Sequence, residues 1–420
     1  MISSKTFQKF TLLGSLYLSQ FMPFWFLSQA LPVLLRQQGM SLEAIGLLPL
    51  VAIAMTFKFL WSPLIDRYSY ARWGHYRFWI ILFQLLVVAI TIVCSLLNLE
   101  TQLPFILLAL AIMGACCASQ DIATDALAVR LLAPHERGMG NAIQGIGGAL
   151  GRMIGGGGML ILLNRWGWTH SLLSLAAVMV LALVPVLIYR EPHRKISETT
   201  TVFEQQNYFK VFIRFVQRPG MGIWLLVLGL YAAAHNLSAT MFTPLLVDAG
   251  LSMADIGSLL GVFGIGMSIL GTLAAGILID KLGRKGTLLV ASAIALTGIL
   301  FYQLPTFGFT QLPILYSIVS VAFFSLGMVG TTAFTIMMDK SRPEMAGTDY
   351  TLQTSLIGIG SVLSAAVSGV LAEAVGYRGV FALSGILGMV LLAVIAKKLQ
   401  LSAHSVSKDK QINSQLEKSV

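Results

Sequence analysis

The sequence predicts an all-α polytopic membrane protein: twelve helices in two pseudo-symmetric six-helix bundles. Three observations carry that expectation. Of 420 residues, 56% are hydrophobic and 11% charged, with mean hydropathy +0.80. A water-facing surface needs about 25% charged residues, so this chain cannot cover one. The apolar runs are about 20 residues long, which suits helices and not the ten-residue alternating strands of a barrel. Finally, the chain repeats itself, as duplicated transporters do. Gly250-Leu-Ser-Met-Ala-Asp-Ile-Gly257 opens a run closing at Ile279-Asp280-Lys281, and Gly39-Met-Ser-Leu-Glu-Ala-Ile-Gly46 opens one closing at Ile65-Asp66-Arg67.

In order, the expected spans are 10–35, 42–64, 78–98, 103–129, 140–163, 169–189, 221–246, 255–279, 287–305, 312–338, 350–373 and 377–396. The repeat extends along them at an offset of about 210 residues. Pro134-His-Glu-Arg-Gly138 matches Pro343-Glu-Met-Ala-Gly347, Gln144 matches Gln353, and Gly167-Trp168 matches Gly376-Tyr377. The expected divisions are an N-terminal bundle over 1–190, a central loop over 191–219, a C-terminal bundle over 220–397 and a disordered tail over 398–420. Within the central loop, Tyr208 to Val216 alternates aromatic and basic residues, as a helix lying on a membrane surface does.

The net charge of +10 does not point to nucleic acid, because no basic stripe runs along one helix. All but five of the 28 lysines and arginines lie in the N-terminus, alternate loops and the tail. The exceptions are Arg36, Lys58, Arg152, Arg165 and Arg378. That bias predicts a multi-pass inner-membrane protein with both termini cytoplasmic. The first run lacks a small-residue cleavage site and reads as a retained helix. Cys94, Cys116 and Cys117 fall inside apolar runs and read as small hydrophobes, without metal-ligand spacing or a disulfide framework. No metal, cofactor or catalytic constellation is expected.

Intramembrane polar residues are the candidate substrate and coupling groups, because charge at bilayer depth is costly and faces a cavity or a partner. They are Lys58, Asp121, Asp125 and Arg152 in the first half, with Gln20 and Gln29 in span one and Tyr231, His235 and Asn236 in span seven. Asp121 and Asp125 share a helix face. The alternative is structural: one of these acids neutralises Arg152, Lys58 snorkels to the interface, and the amides and His235 serve packing. The seam Gly147, Gly151, Gly155 reads as close helix packing. Protons are a candidate coupling ion, through Asp121 or Asp125.

Gly276-Ile-Leu-Ile-Asp280-Lys-Leu-Gly283-Arg284-Lys285 resembles the loop signature of the major facilitator superfamily, with Lys281 where Arg is usual. The resemblance implies the twelve-helix major facilitator fold and alternating-access transport. It also implies a conformational latch at Gly276, Asp280, Gly283, Arg284 and Lys285, and at the first-half copy, Asp66 and Arg67. Ser62 replaces the glycine in that copy. Lys58-Phe-Leu-Trp61-Ser-Pro63-Leu-Ile-Asp66-Arg67 and Ser119-Gln120-Asp121-Ile-Ala-Thr-Asp125 are similar to the branch of muropeptide permeases, acetyl-CoA transporters and bacterial siderophore permeases. Muropeptide permeases usually carry extra C-terminal spans, so the length, with Tyr17-Leu-Ser-Gln20-Phe-Met-Pro23 and Gln29-Ala-Leu-Pro32, looks closest to the siderophore permeases. That resemblance implies import of an iron chelate or similar anionic small molecule; a monomer is expected. A permease for a muropeptide or other amphipathic metabolite is the alternative function, and a non-transporting membrane sensor or scaffold the distant one.

Overall fold

The computed structural model describes residues 4–37, 50–68, 74–99, 101–191, 208 and 210–401. The first-half repeat opening (39–46), the start of span two, most of the central loop and the tail beyond Leu401 lie outside the described residues. Among the described residues there are no strands.

Eight helical stretches are long and apolar enough to cross a membrane, and three of them are double. Arg137–Ile188 has 52 residues, Gly257–Phe307 has 51 and Pro343–Lys397 has 55. At 1.5 Å per residue, roughly 80 Å of helix is far more than a hydrocarbon core of about 30 Å takes up. Each stretch is broken at one glycine, Gly167, Gly283 or Gly376, with φ near +70°. A side chain would strain that backbone, so glycine marks each reversal. With span two, formed by Leu50–Phe57, Lys58–Leu60 and Ser62–Arg67, the described chain gives twelve spans. Left-handed glycines recur at Gly74 and Gly283, and at Gly167 and Gly376, 209 residues apart in each case. The duplication therefore persists at the level of backbone turns.

Spans one and five cross where the glycine seam lies. A Cβ on Gly147 would sit 3.0 Å from the Tyr17 Cβ, and one on Gly151 2.6 Å from the Phe21 Cβ. At Gly155 it would collide with the Met22 carbonyl. Both helices widen to π geometry here, over Phe26–Ala30 after Pro23 and over Met153–Gly158. Gly155→Ala should therefore lower stability by about 1–3 kcal/mol, the usual cost of overpacking. An unchanged thermal midpoint in detergent would show that this seam can relax.

Two cations close helices in corresponding ways. Arg77 donates to the Val186 and Leu187 carbonyls at the end of span six, and Lys285 to the Ala396 carbonyl at the end of span twelve. Cations are favoured at these negative helix termini. Glu191 accepts the Arg77 amide and faces Arg130, and burial pushes its carboxyl up.

The expected surface helix of the central loop is a docked clamp. Over Lys210–Val216 it buries Val211 and Phe215, while Phe212 meets Phe59 edge-on at 6.0 Å. Pro63 has no N–H for the Leu60 carbonyl, and the Leu64 N–H goes to Trp61. The Tyr208 hydroxyl takes the orphaned Leu60 carbonyl. Arg218 meanwhile reaches the Lys340 carbonyl, so the segment is tied to both halves.

Among the described residues, the apolar core is continuous between halves at one end only. Near the N-terminus, Leu12, Ile65, Tyr76 and Ile122 pack in one cluster with Trp224, Met337 and Tyr350. At the opposite end the cores are separate, one built from residues such as Phe26, Val87 and Met179, the other from Phe242, Ile318 and Phe381. Apolar packing among the described residues thus joins the halves at the N-terminal end and not at the other.

Candidate functional site: an inter-half cavity above a closed latch

The closed end is held by Asp66, fully buried at the end of span two. Its carboxylate accepts the Gly347 amide at 3.0 Å, the Thr348 amide and hydroxyl at 2.7 Å each, and the Tyr76 hydroxyl at 2.7 Å. Three of these four donors come from the first turn of span eleven. An anion at a helix N-terminus meets free N–H groups and the positive end of the helix dipole. Gly347 matters for reach, since a Cβ there would lie 2.8 Å from Asp66 Oδ1.

A second tie crosses nearby. Asp339, ending span ten, accepts Arg137 at 2.7 Å and Arg284 at 2.9 Å, and Arg284 also donates to the Pro134 carbonyl at 2.5 Å. Spans five and eight touch at Gly138 and Gly276, where a Cβ on Gly138 would be 3.3 Å from the Gly276 carbonyl. Within the first half, Glu136 joins the same end to Lys9 at 2.6 Å and to Thr6 at 3.1 Å. Burial raises the Glu136 carboxyl, but Lys9, the Ala133 amide and Thr6 outweigh it and hold the group below the usual carboxylate range.

The residues expected at the latch differ in their contacts. Asp280 is exposed and hydrogen-bonds no described residue; the nearby Arg284 makes the cross-half contact, donating to the Pro134 carbonyl. Arg67 is also exposed, with its guanidinium 5.6 Å from the Tyr68 ring centre, and hydrogen-bonds no described residue across the halves. Gly276 gives the close approach, Gly283 the turn and Lys285 the cap on span twelve.

The intramembrane charges sort differently from the structural alternative read in the sequence. Lys58 does not snorkel: it is 5% exposed and forms an ion pair with Asp121. The short 3₁₀ segment Lys58–Leu60 breaks span two in front of span four at this point. Gln20 donates to the same Asp121, and the Tyr17 hydroxyl donates to Asp125 at 2.9 Å. Neither acid pairs with Arg152. The amide Oε1 of Gln29 is buried and unbonded among the described residues, facing Gly156 where the two π segments meet. In the second half, Tyr231 and His235 stack with ring centres 5.9 Å apart, and Asn236 donates to the Ser361 hydroxyl at 2.9 Å. Only Asn236 of these three bonds across to span eleven, and none of them lines the cavity that contains Arg152.

That cavity, of about 210 Å³, lies between the halves just beyond the closed end. Spans one and five supply Phe21, Trp25 and Arg152, and spans eight and ten supply Ser268, Thr272 and Phe323. The Arg152 guanidinium lies 4.5 Å from the Trp25 ring centre. Sequence reasoning did not single out Ser268, Thr272, Asp339 or Thr348. Asp339 carried a signal, an acid beside the Pro343 repeat motif; the hydroxyl residues carried none. Among the described residues, no group of three His, Cys, Asp or Glu side chains is placed to hold a metal.

Residues 13–361 match the model of the Major Facilitator Superfamily. The chain is similar to the anhydromuropeptide permease of Escherichia coli strain K12, 29% identical over 387 residues, covering 90% of this chain and 78% of the permease. An uncharacterized protein of Haemophilus influenzae is 31% identical over 373 residues, covering 86% of this chain and 87% of that protein. Among solved structures, the human organic anion transporter MFSD10 (TETRAN) superposes with TM-score 0.73 at 14% identity, covering 94% of this chain and 100% of that one. Family match and duplicated twelve-span fold agree, and this chain belongs to the Major Facilitator Superfamily, whose members are secondary transporters and not enzymes.

Proposed function

We propose that this protein is a bacterial inner-membrane importer of a muropeptide-class solute, working by alternating access, with both termini and the central loop cytoplasmic. The observation that carries alternating access is the split core, shared between halves at the N-terminal end and separate at the other. On this orientation the state is closed to the cytoplasm and open to the outside, as an importer awaiting solute is. Similarity to an anhydromuropeptide permease along 90% of the chain supports the substrate class. It favours the muropeptide over the iron chelate expected from the loop resemblance. The single cationic group in the cavity lining suits either anionic solute. Asp121 is committed to Lys58, so Asp125 is the residue for proton coupling.

The experiment is uptake into proteoliposomes containing a pH-sensitive dye. Labelled 1,6-anhydromuropeptide should accumulate saturably with acidification of the lumen, and a ferric chelate should not. Accumulation of the chelate alone would reverse the substrate assignment, and uptake of neither would remove it. In intact cells, a cysteine replacing Arg284 should resist an impermeant thiol reagent while one replacing Phe309 reacts; the opposite pattern would invert the orientation.

A further inference from the structure

The geometry points to an anion site in the inter-half cavity: Arg152, backed by Trp25 and faced by Ser268 and Thr272 from the other half, takes a carboxylate of the transported solute. This rests on the transporter reading and specifies what that transporter grips.

Among the cavity-lining residues Arg152 is the one charged side chain. It is half-buried and makes no hydrogen bond or ion pair with any described residue. An arginine at this depth is costly unless water or a counter-charge meets it. The acids that could have supplied one are engaged with Lys58, Gln20 and Tyr17. Trp25 covers the guanidinium face, a favourable cation–π contact. A guanidinium stacked on one face keeps its edge N–H groups free, and that planar fork fits a carboxylate in a bidentate way.

The opposite wall complements it. The Ser268 hydroxyl bonds no described residue, and Thr272 reaches only the Gly327 carbonyl at 3.4 Å. Both are on span eight, across from Arg152 on span five. A carboxylate held between them touches both halves at once. The closed end is already joined, so bound solute would draw together the parted end, the step that must precede opening of the latch. At about 210 Å³ the cavity is smaller than the roughly 300–1,000 Å³ of drug-sized sites, so it holds the charged end and one compact group of a larger solute.

The test is calorimetric binding to the purified full-length protein. The probes are a 1,6-anhydro-N-acetylmuramyl peptide, the same peptide with its carboxylates converted to amides, and 3-phenylpropionate with its amide. The acids should bind, and their amides should bind at least tenfold more weakly. Arg152→Ala should lose the acids by ten- to a hundredfold, with Arg152→Lys between. Trp25 acts through Arg152 as a positioning residue, so Trp25→Leu should weaken acid binding several-fold and Trp25→Phe should restore it. Equal binding of acid and amide peptide, or wild-type affinity in folded Arg152→Ala, would overturn the anion site while leaving the muropeptide reading intact. If neither peptide form binds, the muropeptide reading fails, and 3-phenylpropionate decides the site: Arg152-dependent binding sustains it and no binding overturns it.

Discussion

Asp66→Asn should shift the conformational balance toward opening of the N-terminal end by roughly ten- to a hundredfold. The wild-type carboxylate receives two amide N–H groups and two hydroxyls with both oxygens. Asparagine keeps one acceptor oxygen and turns an NH₂ toward groups that are themselves donors. It also removes the negative charge from the N-terminus of span eleven. Losing charge-assisted bonds of this kind costs about 1.5–3 kcal/mol, which sets the fold-change. Spin labels on exposed His135 and Lys281, one on each half, would report it as growth of a longer-distance population. The matching Asp280→Asn should move the distribution by less than about 0.5 kcal/mol, as an exposed residue without partners does. Indistinguishable distributions for wild type and Asp66→Asn would remove Asp66 as the latch.

Lys58→Met should destabilise the folded protein by about 3–5 kcal/mol, because it leaves the Asp121 carboxylate buried without its cation. Both partners are nearly inaccessible, at 5% and 6% exposure, and Gln20 alone cannot neutralise a charge. The double variant Lys58→Met/Asp121→Leu should recover most of the loss, since exchanging a buried pair for apolar side chains is often neutral. Thermal unfolding of the four proteins in detergent closes the cycle. A coupling energy near zero would mean the two charges are solvated independently. This outcome matters for function too: a structural pair at Lys58 leaves Arg152 as the cation free to meet solute.

The asymmetry between the two loop copies shows where sequence reading stops. Both copies place an acid after an apolar run, Ile65-Asp66 and Ile279-Asp280, and by pattern they are equivalent. In the structure one is buried against a helix N-terminus and the other faces outward. The difference lies in the partner, Gly347-Thr348, which belongs to the other half and begins 281 residues further along. The glycines behave oppositely. Gly167 and Gly376 were legible as repeat positions, and Gly147, Gly151 and Gly155 as a packing seam, because backbone reach depends on a missing side chain and not on a distant partner.

The charges follow the same logic. The sequence puts Lys58, Asp121 and Arg152 inside spans, but position along a span is one coordinate of three. Successive residues on a helix point about 100° apart, and the 3₁₀ segment at Lys58–Leu60 changes that rotation. A shift of one residue is enough to aim Lys58 at Asp121 or away from it. The sequence by itself determined the spans, the duplication, the family and the residues that carry charge into the membrane, because partition into a bilayer depends on local composition along the chain. Only the tertiary structure decided that Lys58 takes Asp121, that Asp66 and not Asp280 is engaged, and that Arg152 opens onto a cavity. Ion pairs and helix-end contacts act over a few ångströms, and distances that short are set by how helices far apart in the chain rotate and pack.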